Sequence, residues 1–492
     1  MASPASELHF VLFPLMSPGH MNPMIDVARI LAHHNVIVTV VTTPHNAARF
    51  ATIFARFSAA GLSIRLMQLQ FPYEEAGMPD GCENFDMLPS LGMGLSFYES
   101  LSILQKPAEK VFQELTPQPN CIISDVGLPY TANIASKYNI PRISFYGVSC
   151  FCLLCMLKTG IHNVFENIKE EWEYFVIPGL PDKIEITKAQ LPGPQESWKE
   201  FIGKMSEAEM ATYGTIMNSF EDLEPAYATE YKKARKDKLW CIGPVSLSNK
   251  DDLDKAHRGN KSSIDENKCS DWLDLQKPRA VIYVCLGSMC NLTPLQLKEL
   301  GLALEASNRP FIWIIRGGSH SEELYNWIKG DGFEERTKGR SLLIRGWAPQ
   351  VLILSHTAIG GFITHSGWNS TIEAICAGVP MLTWPLFGDQ FLNEKFVVQI
   401  LGIGVRVGVE SPVSWGEEEK IGVLVKKEDI QTAIQRLMDE TDESEERRRK
   451  AMRLAQMAKR AVEEGGSSVL NVSLLIQDIR EQRKTKKSSA LS

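Results

Sequence analysis

The chain has 492 residues, 44% hydrophobic and 23% charged, a balance that excludes a disordered chain and provides for two or three domains. Lys plus Arg number 52 against 59 Asp plus Glu, a net charge of −7, so there is no global attraction for nucleic acid or anionic membrane. No Lys or Arg precedes Arg29, and the longest apolar stretch, 148–157, is half of the roughly 20 residues a membrane span needs, so neither a secretory signal nor a transmembrane helix is expected.

In chain order, 8–15 reads as a short buried strand, 16–23 as a loop, the residues to His34 as a helix, and 36–42 as a β-branched strand. That is a βαβ unit, which calls for a parallel sheet covered by helices. Further strands are expected at 63–69, 121–124 and 142–146, each followed by enough chain for a crossover. The ten cysteines sit in apolar surroundings, as at Cys150, Cys285 and Cys376. Cys152 and Cys155 form a lone C-x-x-C with no second pair or nearby His, so core packing is expected in place of zinc or redox use. The sequons at Asn291 and Asn369 carry nothing without export, and a cytoplasmic, reduced protein is expected.

Near 246–268 the composition turns to Ser, Asn, Asp, Lys and Gly, the signature of an interdomain linker. Its Asp252-Leu253-Asp254 has the spacing of a divalent-metal motif, but it lies in a charge run and not after an apolar strand, so it reads as solvated surface. A second α/β rhythm follows. It has strands at 281–286, 311–315, 342–344, 361–364 and 379–382, and a helix opened by Thr293 as N-cap, Pro294 and a capping-box Gln296. The expected layout is a first domain over 1–245, the linker 246–268, a second domain over 269–455, C-terminal helices over 456–482 and a polar tail over 483–492. Two such domains place a cleft between them.

Within 346–393 the strand ending at His365 runs into Ser366-Gly367-Trp368-Asn369-Ser370, where a helix begins. Small residues permit close backbone approach, and a helix start offers free N–H donors, which together make a phosphate cradle. Glu373 is placed to accept from ribose hydroxyls and Trp347 to stack on a flat base. Each feature alone is also an ordinary turn or core residue. Their joint spacing carries the reading.

This window, from the WAPQ opening through HSGWNS to Asp389-Gln390, resembles the signature box of plant family 1 UDP-dependent glycosyltransferases. The PGH loop, SDVGLPYTANIA, WCIGPVSL, VIYVCLGS and WGEEEKIGVLV extend the likeness over nearly the whole chain. It is strongest to the subgroup acting on triterpenoid sapogenins, flavonoids and cytokinins. Ser366 departs from the family's usual Cys, a small-for-small change. The resemblance implies an α/β GT-B fold: two Rossmann-like domains facing a cleft, with a C-terminal helix packing back on the first. It implies that Trp347 stacks on uracil, that Ala348 and Gln350 bind the base and ribose edge, and that Glu373 holds the ribose diol. By the same likeness Ser288, His365, Gly367, Asn369 and Ser370 meet the diphosphate, while Trp368, Asp389 and Gln390 hold the sugar hydroxyls. A closing Gln goes mainly with UDP-glucose, with UDP-glucuronic acid and UDP-galactose as alternatives.

In the first domain His20 follows the first strand, where open α/β sheets bind ligands, and an imidazole can take a proton at neutral pH. Spacing alone does not separate it from His33 or His34. The resemblance does, and it pairs His20 as base with Asp125 as the carboxylate that orients it. The expected reaction is a single inverting displacement from UDP-glucose to a hydroxyl of a triterpenoid sapogenin, or of a flavonoid or cytokinin, with no metal and no other cofactor, by a monomer. Met87, Leu91, Phe97, Phe145 and Tyr146 are candidates for an apolar acceptor pocket, and equally for core. A nicotinamide oxidoreductase would need G-x-G-x-x-G after the first strand, where SPGHMNP has one Gly. A sugar-nucleotide epimerase or a UDP-sugar binder is the other rival, and the His20–Asp125 pair speaks against a mere binder.

Overall fold

The computed structural model describes residues 7–192, 196–290, 292–316 and 321–489. The sequon at Asn291 lies outside them. Fifteen strands are present among the described residues: β1 (His9–Phe13), β2 (Ile37–Thr42), β3 (Ile64–Gln68), β4 (Cys121–Asp125), β5 (Arg142–Tyr146), β6 (Tyr174–Val176), β7 (Glu185–Thr187), β8 (Gly214–Met217), β9 (Leu239–Cys241), β10 (Val281–Cys285), β11 (Phe311–Ile315), β12 (Ser341–Arg345), β13 (Ile359–Thr364), β14 (Met381–Thr383) and β15 (Gly404–Arg406). They build a seven-stranded parallel sheet, β3-β2-β1-β4-β5-β8-β9, and a six-stranded parallel sheet, β12-β11-β10-β13-β14-β15. A small antiparallel hairpin pairs β6 with β7.

Both large sheets are wound outward from their middle. In the first, the chain order reverses between β1 and β4, where Phe13 pairs with Ser124. In the second it reverses between β10 and β13, where Cys285 pairs with Thr364. Loops leaving such a pair of strands diverge and open a crevice at their carboxyl ends, the ligand-binding position of doubly wound sheets. This is the two-domain GT-B architecture.

Several sequence expectations need correction. The first helix spans Pro18–His33, so all of the expected loop but its first two residues is helical: Pro18 opens the helix as its first residue, the position that tolerates a missing N–H. Thr293 does cap its helix by accepting from the Gln296 backbone, but Gln296 does not close the box. Its side chain turns to the backbone of Leu424 and Val425. The 246–268 segment is not simply solvated. It contains a short helix, Asp252–Ala256, and the buried Arg258, and Asp254 is held by Arg29 and Arg56. The last helix, Ser467–Ser489, runs through most of the expected tail. Its Val472, Leu475, Ile476 and Ile479 are buried in one core with Trp240, Ile242 and Val245, so the C-terminus closes on the first domain. Cys152 and Cys155 are packed in the core on the helix Cys150–Ile161.

Candidate functional site

The carboxyl ends of the two sheets face a common cavity of about 230 Å³. From the first domain it is lined by His20, and from the second by Ser288, Trp347, Ala348, Gln350, His365, Gly367, Trp368, Asn369, Ser370, Glu373, Asp389 and Gln390. Residues far along the chain from His20, between Ser288 and Gln390, thus meet it at one place. Asp125 stands behind His20, outside the cavity lining.

His20 lies in the first turn of the first helix, and its Nδ1 is 2.7 Å from Asp125 Oδ2. The Asp125 side chain is 1% exposed and that of His20 31%, so the carboxylate is sealed while the imidazole reaches the cleft. Asp125 Oδ1 accepts from the Gly127 N–H at 2.9 Å, which fixes the carboxylate plane. A carboxylate only accepts, so a neutral His20 carries its hydrogen on Nδ1 and leaves Nε2 as a proton acceptor. Burial works to lower the His20 pKa, but the Asp125 charge and hydrogen bond, with Asp389 across the cleft, raise it above the ordinary 6.5.

On the other side, the helix Trp368–Ala377 starts directly after β13 and turns its first N–H groups to the cavity. His365 sits between two glycines that have no room for a side chain. A Cβ on Gly287, at φ +86°, would lie 2.6 Å from His365 Nε2, and one on Gly367 would meet the same atom. Burial first, and the Arg316 charge second, push the His365 pKa down to about 4, so at neutral pH it is an uncharged hydrogen-bonding group. Gln350 donates to Ser370 Oγ at 3.1 Å and to Glu373 Oε2 at 2.8 Å, locking the helix to the loop that carries Trp347. Asp389 accepts from Asn393 at 2.7 Å, and burial pushes its pKa up to about 6.

Two assignments change in detail. The indole of Trp368 is buried and donates to the Asn218 carbonyl at 2.8 Å, which leaves its backbone N–H for a ligand. Gln390 Oε1 accepts from the backbones of Leu386 and Phe387, leaving its Nε2 to donate. Of the acceptor candidates, Phe97 and Phe145 are fully buried in the cores on opposite faces of the first sheet, not in a pocket. Tyr146 is half-buried and donates to Glu209 at 3.0 Å. Met87 and Leu91 are half-buried, and Leu91 lines a second cavity of about 220 Å³ with Phe85, Leu88 and Met289.

Three contributors escaped the sequence reading. Arg316 follows β11 and stacks its guanidinium 4.7 Å from the Trp347 ring centre. Its signal was available: a cation at a strand's carboxyl end. Asn218 donates to Asn369 Oδ1 at 3.1 Å and accepts from the Val245 N–H at 3.0 Å. The third is the Gly19 carbonyl, which accepts from Asn369 Nδ2. Pro23, four residues on, has no N–H to bond that carbonyl, so the proline frees it for the opposite domain.

A histidine–carboxylate pair at one switch point thus faces, across one cavity, a glycine-flanked helix start and Trp347 at the other, two nucleotide-fold domains sharing a single site. Residues 262–463 match the family model described as UDP-glucoronosyl and UDP-glucosyl transferase. The chain is 54% identical to UDP-glycosyltransferase 73C5 of Arabidopsis thaliana over 97% of both chains. It is also 54% identical to UDP-glycosyltransferase 73C13 of Barbarea vulgaris, over 96% of this chain and 97% of that one. Among solved structures it is similar to Glycyrrhiza uralensis UGT73P12 complexed with glycyrrhetinic acid 3-O-monoglucuronide, with TM-score 0.90 and 36% identity over 99% and 98% of the two chains. Medicago truncatula UGT71G1 complexed with UDP-glucose aligns with TM-score 0.76 and 25% identity over 98% and 100%. The chain belongs to the plant family 1 UDP-glycosyltransferases and is a UDP-sugar-dependent glycosyltransferase.

Proposed function

We propose that the protein transfers glucose from UDP-glucose to a hydroxyl of a triterpenoid sapogenin, with inversion and without a metal. The observation that carries the reading is the His20–Asp125 pair set across one cavity from the His365–Ser370 cradle. His20 Nε2 takes the acceptor proton as the oxygen attacks the anomeric carbon from the face opposite UDP. The C1–O bond to the diphosphate breaks in the same step, and an α-linked donor yields a β-glucoside. Asp125 stabilises the imidazolium as it forms. The charge developing on the diphosphate meets helix N–H groups, the Ser288 and Ser370 hydroxyls and a neutral His365, donors that require no cation.

The glucose assignment is supported by Asp389 and by the Gln390 amide at the cavity wall, and by the UDP-glucose bound in the Medicago structure. The sapogenin assignment is supported by the triterpenoid glucuronide in the Glycyrrhiza structure. The test is mass spectrometry of the protein incubated with UDP-glucose, EDTA and a panel of triterpenoid aglycones, flavonols and cytokinins. A hexose adduct on the triterpenoids alone is the expected result. An adduct confined to flavonols or cytokinins would overturn the acceptor, turnover abolished by EDTA the metal-free route, and transfer only from UDP-glucuronic acid or UDP-galactose the donor.

A further inference from the structure

The 246–268 segment carries a cation buried as deeply as the core. Arg258 is 8% exposed, and its guanidinium joins carboxylates from opposite sides of the cleft: Nε donates to Asp26 Oδ2 at 2.7 Å and Nη1 to Glu373 Oε1 at 2.5 Å. Asp26 belongs to the helix that carries His20, six residues further along, and Glu373 to the helix behind the diphosphate cradle. The second oxygen of each carboxylate is also held, Asp26 by Asn249 and Glu373 by Gln350, both at 2.8 Å. The neighbouring backbone follows the same course. Gly259, at φ +99°, approaches so closely that a Cβ would lie 2.6 Å from the Trp347 ring and 2.8 Å from the Asn22 amide. Ser263 exchanges two hydrogen bonds with the Trp347 backbone, at 2.8 and 2.9 Å.

A buried ion triad is a poor device for stability, since desolvation offsets its attraction, but a planar fork between two carboxylates fixes both in angle and distance. Arg258 also lines the donor cavity. We infer that Arg258 is a positioning residue for donor binding: it holds the Glu373 carboxylate aimed at the ribose hydroxyls and, through Asp26, sets that carboxylate's position relative to the helix bearing His20. The inference rests on Glu373 being the ribose-diol acceptor.

The test is calorimetric titration of UDP and of 2′,3′-dideoxy-UDP into the full-length protein and into Arg258→Met, Arg258→Lys and Glu373→Gln. The unaltered protein is expected to prefer UDP by about 100-fold or more, the scale of two hydrogen bonds to a charged acceptor. Glu373→Gln should reduce that preference to within about threefold. Arg258→Met should do the same while its affinity for the dideoxy analogue stays unchanged, which general structural damage would not produce. Arg258→Lys keeps a charge without the fork and should give an intermediate preference. Where Arg258→Met does not fold, the lysine variant decides. Full preference in the folded arginine variant overturns the role of Arg258 and leaves Glu373 standing. No preference in the unaltered protein, or full preference in Glu373→Gln, overturns the ribose reading and the role of Arg258 with it.

Discussion

To serve as the base of the proposed transfer, His20 must be neutral, and its surroundings favour the charged ring. Asp125 at 2.7 Å and Asp389 across the cleft favour the imidazolium and hold the His20 pKa above 6.5, against the burial that lowers it. Only the neutral ring is a base, so the acidic limb of the pH–kcat/KM profile is expected to lie above 6.5. In Asp125→Asn the largest upward influence is gone and the limb should shift to lower pH. At the same time turnover should fall about 10²- to 10⁴-fold, because the tautomer and the forming imidazolium lose their partner. A limb that stays in place in this variant would remove Asp125 from the titration. Among the chain's histidines the sequence could not distinguish this one by spacing. His33 and His34 sit at the helix's far end, and the decisive contact comes from a residue 105 positions later.

The candidate site is built at the junctions after β1, β4, β10 and β13. Their strands were legible because short apolar runs ended by polar or small residues stand out as buried strands. Strands β8, β9 and β15 were not, having only three or four residues each, whose pairing is set by neighbours far away in sequence. Asn218 was hidden for the same reason, since its partner Asn369 lies 151 residues on. The sequence placed Gly, Ser and His at a strand end as a candidate cradle, and the structure packs Gly287 and Gly367 against the His365 ring. Gly287→Ala would set a Cβ 2.6 Å from His365 Nε2 in a left-handed conformation, so the imidazole must move. UDP affinity is expected to drop about tenfold, on the order of one lost hydrogen bond to a charged group, while uridine affinity stays the same. Equal losses for UDP and uridine would place the damage outside the diphosphate subsite.

At the scale of the molecule, the two sheets are joined twice. The chain crosses once through 246–268 and returns through the last helix, whose apolar face completes the first domain's core. Composition alone reads this segment as solvated, because a stretch rich in polar residues does not reveal that Arg258 and Asp254 find buried or half-buried partners. The return was legible only by family resemblance. The polar face of that helix is also held, with Asp478 accepting from Tyr213 at 2.8 Å and from Lys238 at 2.8 Å. Leu475 is fully buried there, so Leu475→Ala should destabilise the first domain by about 2–5 kcal/mol, the transfer term plus the cavity it leaves. UDP is expected to engage the second domain chiefly, and at about 100 times its Kd it stabilises what it binds by about 2.7 kcal/mol. The two effects distinguish coupled from independent domains. If the domains unfold together, UDP raises the lowered melting temperature of Leu475→Ala as far as it raises that of the parent protein. If hydrogen exchange instead shows β9 opening early with UDP bound, the contacts across the cleft at Asn218, Asn369 and Arg258 do not unite the domains into one cooperative unit.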